Sequence, residues 1–458
     1  MKISRDREKV MRRWKEQRWI LDNIVRAVGV DWDQGRTNRV LNYCGPKALG
    51  DITLIRQRVR RFADIGREFA KAARRRQARA EKAEAQGRTV LARENYFIAV
   101  QHYCNAHWPL FEDDHPKHIE LQELQDHCYD KYIRYAPHPI ERVEIPFEGR
   151  SVPALLHLPT CGEPPHPAVL ITPGMDMVKE NSAMYGDPFL ERGVATLIID
   201  GPGQGASNLR KIRVTADNTV EAGVGAIDYL LSRDDVDETR LGLAGFSMGT
   251  YWGFRVAAAE SRLKACAFLL PCWESGMDTI FNMASPTFKL NYMYMSGYDD
   301  EDAFDRFMET LSLDGLEEKI SCPLMLVTGE DEDLSPMDVT LEVFGKIRQP
   351  KSLVMFEGMK HSIEAPYVDY AADWLAEFAE DPDPVALRAA LEAVRVGTVA
   401  NEAAAALAAA EVVAAWCGRP APEIPPTVTA WCLGRTEAVD EQTLTRARAV
   451  VDLVLASS

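Results

Sequence analysis

Leu241-Gly242-Leu243-Ala244-Gly245-Phe246-Ser247-Met248-Gly249 is the stretch whose reading decides the fold. A short apolar run of strand character enters a Gly-X-Ser-X-Gly turn, and a helix-like stretch follows. That is the setting of a nucleophile elbow. The turn is so tight that its central residue takes strained backbone angles. Side chains two before and two after it would collide, which accounts for both glycines. The bend lifts the Ser247 hydroxyl clear of the sheet and sets it at a helix N-terminus, where developing negative charge is favoured. A bare Gly-X-Ser-X-Gly match is common by chance and can be a plain structural turn. The strand before it and the helix after it favour the elbow.

Working outward, Val143–Phe147 and Val152–Leu158 read as antiparallel strands around the turn Glu148-Gly149-Arg150. Ala168–Thr172, Ala195–Asp200, Leu241–Ala244, Ala265–Leu270, Leu324–Thr328 and Ser352–Phe356 read as buried strands. Helical stretches are expected near 181–193, 217–232, 248–260, 302–312 and 337–347. Such alternation implies a mostly parallel, eight-stranded sheet covered by helices on both faces. Strand C-termini then gather on one side, where loops can build a site. With the elbow, this is the pattern of an α/β-hydrolase fold. Residues 1–136 read as a separate helical domain. Within it, Ala70, Ala73, Ala78, Ala80 and Ala83 stud one helix, Gly87 breaks it, and Leu91, Ala92, Tyr96, Ala99 and Tyr103 recur along a second. The basic run Lys71–Arg79 reads as a solvated face. The catalytic domain spans 137–380. Asp381-Pro382-Asp383-Pro384 reads as a linker, and 381–458 as that linker followed by a small helical appendage for packing or oligomerisation.

A serine hydroxyl needs a base to be a good nucleophile. In this fold the chain order is serine, acid, histidine. His361 is the only histidine after Ser247, and it follows the expected last strand. The acid belongs after the strand Pro323–Thr328, in Gly329-Glu330-Asp331-Glu332-Asp333. Spacing from the glycine selects Glu332, with Asp333 as the alternative and Asp331 a lesser one. Its work is to accept the second imidazole N–H and stabilise imidazolium. Backbone N–H groups of Met248 and Met175 are the candidate oxyanion hole. The second leaves the sharp exit Pro173-Gly174-Met175-Asp176. Asp200-Gly201-Pro202-Gly203-Gln204-Gly205 lacks dinucleotide spacing and a phosphate-binding lysine, so it reads as a structural loop beneath the site. His102, His107, His115 and His118 match no metal motif and read as scattered residues, one or two of which could line a pocket. No metal and no cofactor is expected.

The net charge of −16 argues against nucleic acid as a partner. No stretch approaches the roughly 20 apolar residues of a membrane span. The charged start Met1–Trp19 is unlike a secretory signal, and nine cysteines lack CxxC spacing. A cytoplasmic protein is the expectation.

The segments PGMDMVKEN, DGPGQGAS, GFSMG and GEDEDLSP, behind a helical domain, resemble a known α/β-hydrolase family over roughly residues 60–380. It contains 2,6-dihydroxypseudooxynicotine hydrolase, fungal polyketide-shortening hydrolases and fermentation-respiration-switch esterase-like proteins. The resemblance implies that the N-terminal helices cap the site and that the chain forms a homodimer. It also implies an aromatic or polyketide-like small-molecule substrate, cleaved at a carbon–carbon bond beside a ketone or at an ester. Glu332 stands where the family usually has aspartate. Carbon–carbon cleavage calls for a proton at the departing carbon. Glu274, after the sixth strand, is the candidate donor, with an ordinary loop glutamate as the competing reading. The leading expectation is a serine hydrolase working through an acyl-enzyme. A general carboxylesterase or acyltransferase is the runner-up, and a non-catalytic ligand-binding protein is the alternative from another class.

Overall fold

The computed structural model describes residues 11–361 and 367–380. One eight-stranded sheet runs through it: β1 (Ile140–Phe147), β2 (Arg150–His157), β3 (His166–Thr172), β4 (Ala195–Ile199), β5 (Val236–Phe246), β6 (Ala265–Leu269), β7 (Leu324–Gly329) and β8 (Lys351–Phe356). Their spatial order is β1-β2-β4-β3-β5-β6-β7-β8. Only β2 runs against its neighbours, and β3 to β8 are parallel. This is the α/β-hydrolase sheet. Phe147 pairs with Arg150, so the first hairpin turns on two residues, one fewer than expected. Glu148 and Gly149 both have positive φ, at 45° and 71°. Two such residues match the twist of the flanking strands.

Among the described residues six α-helices precede the sheet: α1 (Arg12–Val28), α2 (Arg36–Cys44), α3 (Leu49–Arg58), α4 (Asp64–Ala85), α5 (Thr89–His107) and α6 (Pro116–Tyr135). Residues from α2 to α6, among them Ile52, Phe69, Tyr96, Tyr103, Leu121 and Tyr129, pack into one core cluster that also takes in Ile140, Leu155 and Val178. Small residues bring α4 and α5 together, since a Cβ on Gly66 would stand 2.7 Å from the Ala106 carbonyl oxygen. Ala70, Ala73, Ala80 and Ala83 are buried, whereas Ala78 and Leu91 face outward. The basic run is not wholly solvated. Arg76 is buried and bonds Asp51, Asn95 and the Lys47 carbonyl.

Between strands lie α7 (Lys179–Leu190), α8 (Gly205–Leu209), α9 (Asn218–Leu231), α10 (Met248–Ala259), α11 (Pro286–Ser296), α12 (Glu301–Met308) and α13 (Met337–Lys346). After β8 comes α14 (Tyr367–Glu380). The helix α11 is absent from the sequence reading. Pro286–Met295 is buried throughout, so no polar face gives it a helical period. Its end signals were present: Ser285 accepts from the Thr287 N–H, Pro286 opens the helix and left-handed Gly297 closes it. The expected appendage within 381–458 lies outside the described residues.

The connection from β3 leads to β4 on one side, and that from β5 leads to β6 on the other. The loops leaving β3 and β5 therefore diverge, and a crevice opens at their carboxyl ends. A buried ion cluster fixes its floor. Lys179, at the start of α7, reaches Asp200 at 3.0 Å and Glu180 at 2.8 Å, all three side chains being at most 2% exposed. Asp200 also accepts from the backbone N–H groups of Lys179 and Ala206. Replacing Lys179 by methionine leaves buried Asp200 without its cation and Glu180 with Arg142 alone, at 3.4 Å. A loss of about 3–5 kcal/mol in unfolding free energy is expected, read from urea denaturation of K179M against the unaltered chain.

Candidate active site

Ser247 sits between β5 and α10 with φ 54° and ψ −127°. The glycines on either side are required by contact. A Cβ on Gly245 would meet the Gly249 carbonyl oxygen at 2.7 Å, and one on Gly249 would lie 1.9 Å from the Thr172 carbonyl oxygen. The collision at Gly249 is therefore with the end of β3. The strained residue is held from both sides. Its N–H donates to the Leu269 carbonyl at 2.9 Å, and its carbonyl accepts from the Thr250 N–H and hydroxyl at 2.8 and 2.7 Å.

His361 Nε2 lies 2.8 Å from Ser247 Oγ. On its other side, Nδ1 lies 2.8 and 2.9 Å from the two carboxylate oxygens of Glu332. A carboxylate only accepts, so Nδ1 carries the proton and Nε2 is free to accept from the hydroxyl. Burial alone would lower the imidazole pKa, but the facing Glu332 carboxylate prevails and holds it above 6.5. The Glu332 side chain is fully buried and accepts a further bond from the Leu334 N–H at 2.9 Å. Asp333 instead turns outward to Lys360 at 3.4 Å, and Asp331 is exposed. Cys272 Sγ stands 3.9 Å from Ser247 Oγ, but burial pushes its thiol pKa up and keeps it protonated.

The exit from β3 runs alongside Ser247. A Cβ on Gly174 would stand 3.2 Å from Ser247 Cβ and 3.7 Å from Oγ. Gly174 thus lets the backbone that carries the Met175 N–H pass beside the hydroxyl. Met248, source of the other candidate N–H, opens α10. Gln204, from the glycine-rich loop after β4, reaches this exit from behind. Its amide donates to the Gly174 carbonyl at 2.9 Å and accepts from the Gly201 N–H at 3.1 Å.

A cavity of about 240 Å³ opens over Ser247 and His361. Its apolar wall includes Met177, Met184, Tyr185, Phe246, Leu269 and Leu270. A second, polar wall comes from α2 and the residues before it: Gln34, Asn38, Arg39 and Asn42. Asp176 joins the two, bonding Arg36 at 3.0 Å and Arg39 at 3.3 Å. Burial would raise the Asp176 pKa, but the two guanidinium groups bring it below the usual value. Arg36 also lies over the Trp108 ring, 3.3 Å from its centroid. Sequence reasoning missed this clamp because its partners are about 140 residues apart.

Glu274 does not line this cavity. Its carboxylate accepts from the Thr279 N–H at 2.8 Å, closing the loop after β6. The four N-terminal histidines also go to separate tasks. His102 faces Asp51, His115 caps α6, and His107 and His118 stack with centroids 4.9 Å apart beside a second, smaller cavity of about 50 Å³. Among the described residues no group of three or more His, Cys, Asp or Glu side chains is placed to hold a metal ion. No described helix is long and apolar enough to cross a membrane.

The family model described as "Esterase FrsA-like" matches residues 62–300. A second model, a domain of unknown function (DUF4259), matches 368–458. The chain is 29% identical over 219 residues to 2,6-dihydropseudooxynicotine hydrolase of Paenarthrobacter nicotinovorans, covering 47% of this chain and 58% of that protein. It is 33% identical over 241 residues to hydrolase ORFZ of Pyricularia oryzae, covering 49% and 56%. The chain thus spans little more than half the length of these relatives. The crystal structure of 2,6-dihydroxy-pseudo-oxynicotine hydrolase superposes with a TM-score of 0.64 at 24% identity, covering 74% of this chain and 95% of that one. At that identity the likeness speaks for the fold.

Because Glu332 raises the folded-state pKa of His361, the pair contributes stability that is complete below the unfolded value near 6.5. That stability is lost as pH rises through the folded value. Glu332→Gln should therefore lower the urea midpoint more at about pH 6 than at about pH 9. An equal loss at both would contradict the coupling.

Proposed function

The chain belongs to the FrsA-like esterase family of α/β hydrolases, and from that premise we propose that it is a serine hydrolase acting through an acyl-enzyme. The observation that carries this reading is the continuous line Ser247–His361–Glu332, with both links at 2.8 Å, at the floor of a cavity. His361 accepts the Ser247 proton as Oγ attacks the substrate carbonyl. Glu332 holds the ring in the tautomer that can do so and stabilises the imidazolium that forms. The N–H groups of Met175 and Met248 receive the oxyanion. The imidazolium then protonates the leaving group. In the second half His361 activates water against the acyl-serine, and Ser247 regains its proton.

The substrate is an aromatic or polyketide-like small molecule, cleaved at the carbon–carbon bond beside a ketone or at an ester. The two walls of the cavity support this class. The apolar side suits a flat ring or enone, and the carboxamides of Gln34, Asn38 and Asn42 suit neutral hydroxyl or carbonyl groups. In carbon–carbon cleavage, His361 is the acid within reach of the departing carbon. The position of Glu274 gives no support to a separate donor there. Helices α1 to α6 serve as the cap in this reading. The family description favours simple ester hydrolysis as the second reading.

A panel of p-nitrophenyl esters beside acylphenol ketones separates the two. Fast turnover of simple esters with none of the ketones would leave only the esterase. Ser247→Ala should lower kcat by on the order of 10⁴–10⁶-fold and abolish labelling by a fluorophosphonate probe. Equal labelling of Ser247→Ala would overturn the assignment.

The base works when His361 is neutral. Activity as kcat/KM should therefore rise with pH to a plateau, with a midpoint above 6.5. Glu332→Gln, measured for residual activity across the same range, should move that midpoint down.

A further inference from the structure

We propose that Gln204 is a positioning residue that aims the Met175 N–H at the oxyanion, an inference that rests on the serine-hydrolase reading above. The Gly174 carbonyl and the Met175 N–H belong to one peptide unit. In a trans peptide these groups point in opposite directions, so whatever fixes the carbonyl fixes the N–H. The Gly174 carbonyl is fixed twice. It accepts from Gln204 Nε2 at 2.9 Å and from the Met177 N–H at 3.1 Å. The same Gln204 amide lies 3.4 Å from the Pro173 and Met177 carbonyl oxygens, so one donor gathers the whole exit from β3.

Two cavities meet at this exit. Gln204 lines the small cavity together with Met175 and is 3% exposed, Gly174 and Ser247 line the large one, and Asp176 and Met177 line both. The Gly174 carbonyl points toward Gln204, while a Cβ on Gly174 would stand 3.2 Å from Ser247 Cβ. The Met175 N–H lies on the opposite side of that peptide from Gln204 and is assigned to the oxyanion beside Ser247. Gln204 is in turn held rigid, because its Oε1 accepts from the Gly201 N–H at 3.1 Å. The glycine-rich loop after β4 thus does more than shape a floor. It holds one donor of the oxyanion hole in place from outside the hole.

Loss of Gln204 removes the strongest tether on a glycine-flanked peptide, which can then rotate. A hole that has lost one donor costs about 10²–10³ in kcat. A donor that is only partly misdirected should cost about 10–100-fold. Two variants separate aiming from packing. Gln204→Met keeps the volume but loses every hydrogen bond of the amide. Gln204→Glu keeps the shape and the acceptor for Gly201 but cannot donate to Gly174 when ionised.

Both are assayed at about pH 8 on whichever p-nitrophenyl ester the unaltered chain turns over. The second readout is affinity for a trifluoromethyl ketone, whose hemiketal places an oxyanion in the hole. The expected result is a 10–100-fold fall in kcat with KM within about twofold. The ketone should bind weaker by the same factor. Gln204→Glu with the kcat and ketone affinity of the unaltered chain would overturn the proposal. So would equal losses in KM and kcat with no change in ketone binding. If the unaltered chain neither turns over esters nor binds the ketone, the serine-hydrolase reading itself has failed, and that outcome rejects the proposal with it.

Discussion

The mouth of the cavity depends on the absence of a side chain at residue 249. The first turn of α10 lies so close to the end of β3 that a methyl group there would overlap the Thr172 carbonyl. Thr172 draws the two together further, its hydroxyl donating to the Gly249 carbonyl at 2.8 Å. This contact sets the distance between two diverging loops. One carries Ser247 and the other carries the Gly174–Met175 peptide. The positive φ of Ser247 is a consequence of the same crowding, and its cost is borne by bonds to Leu269 and Thr250.

Charge is buried around this contact in three separate arrangements, each with its partners in place. Lys179 neutralises Asp200 and Glu180 beneath the loops. Arg36 and Arg39, both of α2, neutralise Asp176. Glu332 faces His361. Paired burial of this kind adds little net stability compared with apolar packing, yet removing one partner is severe. These clusters are therefore better understood as fixing geometry. The Asp176 clamp illustrates this, since it ties α2 to the residue following Met175 and so couples the N-terminal helices to the exit from β3.

Much of this was legible in the sequence because its periods and turns are local. All eight strands show as short apolar runs, and the elbow glycines show as a motif. Ser247, His361 and Glu332 could be nominated from chain order and one spacing. What escaped was either uniformly buried or distant. The helix α11 has no polar face, so only its caps announced it. Arg36 and Arg39 read as ordinary basic residues, since nothing near them in the chain names Asp176. Gln204 was hidden inside a glycine-rich loop whose glycines drew the eye. Gly205 is indeed fixed by Asp200, a Cβ there lying 2.5 Å from its carboxylate, yet the side chain that reaches the exit from β3 is its neighbour. Glu274 is the reverse case. Topology brought it to the right end of the sheet, but its carboxylate turned to a backbone N–H.

The glutamate at 332 follows from the same geometry. The loops after β7 and β8 are pinned together, because a Cβ on Gly329 would lie 2.2 Å from the Met359 carbonyl oxygen. The Glu330 and Asp331 N–H groups bond the Phe356 and Met359 carbonyls at 2.9 Å each. The backbone at 332 can therefore move little toward His361. An aspartate there would end roughly 1.5 Å short, one carbon–carbon bond. Both carboxylate oxygens of Glu332 already lie at hydrogen-bond distance from Nδ1, and one also takes the Leu334 N–H. One residue on, Asp333 has a shorter side chain and is turned outward to Lys360. The loop thus sets the length of the acid, and at this distance from the imidazole that length is glutamate's.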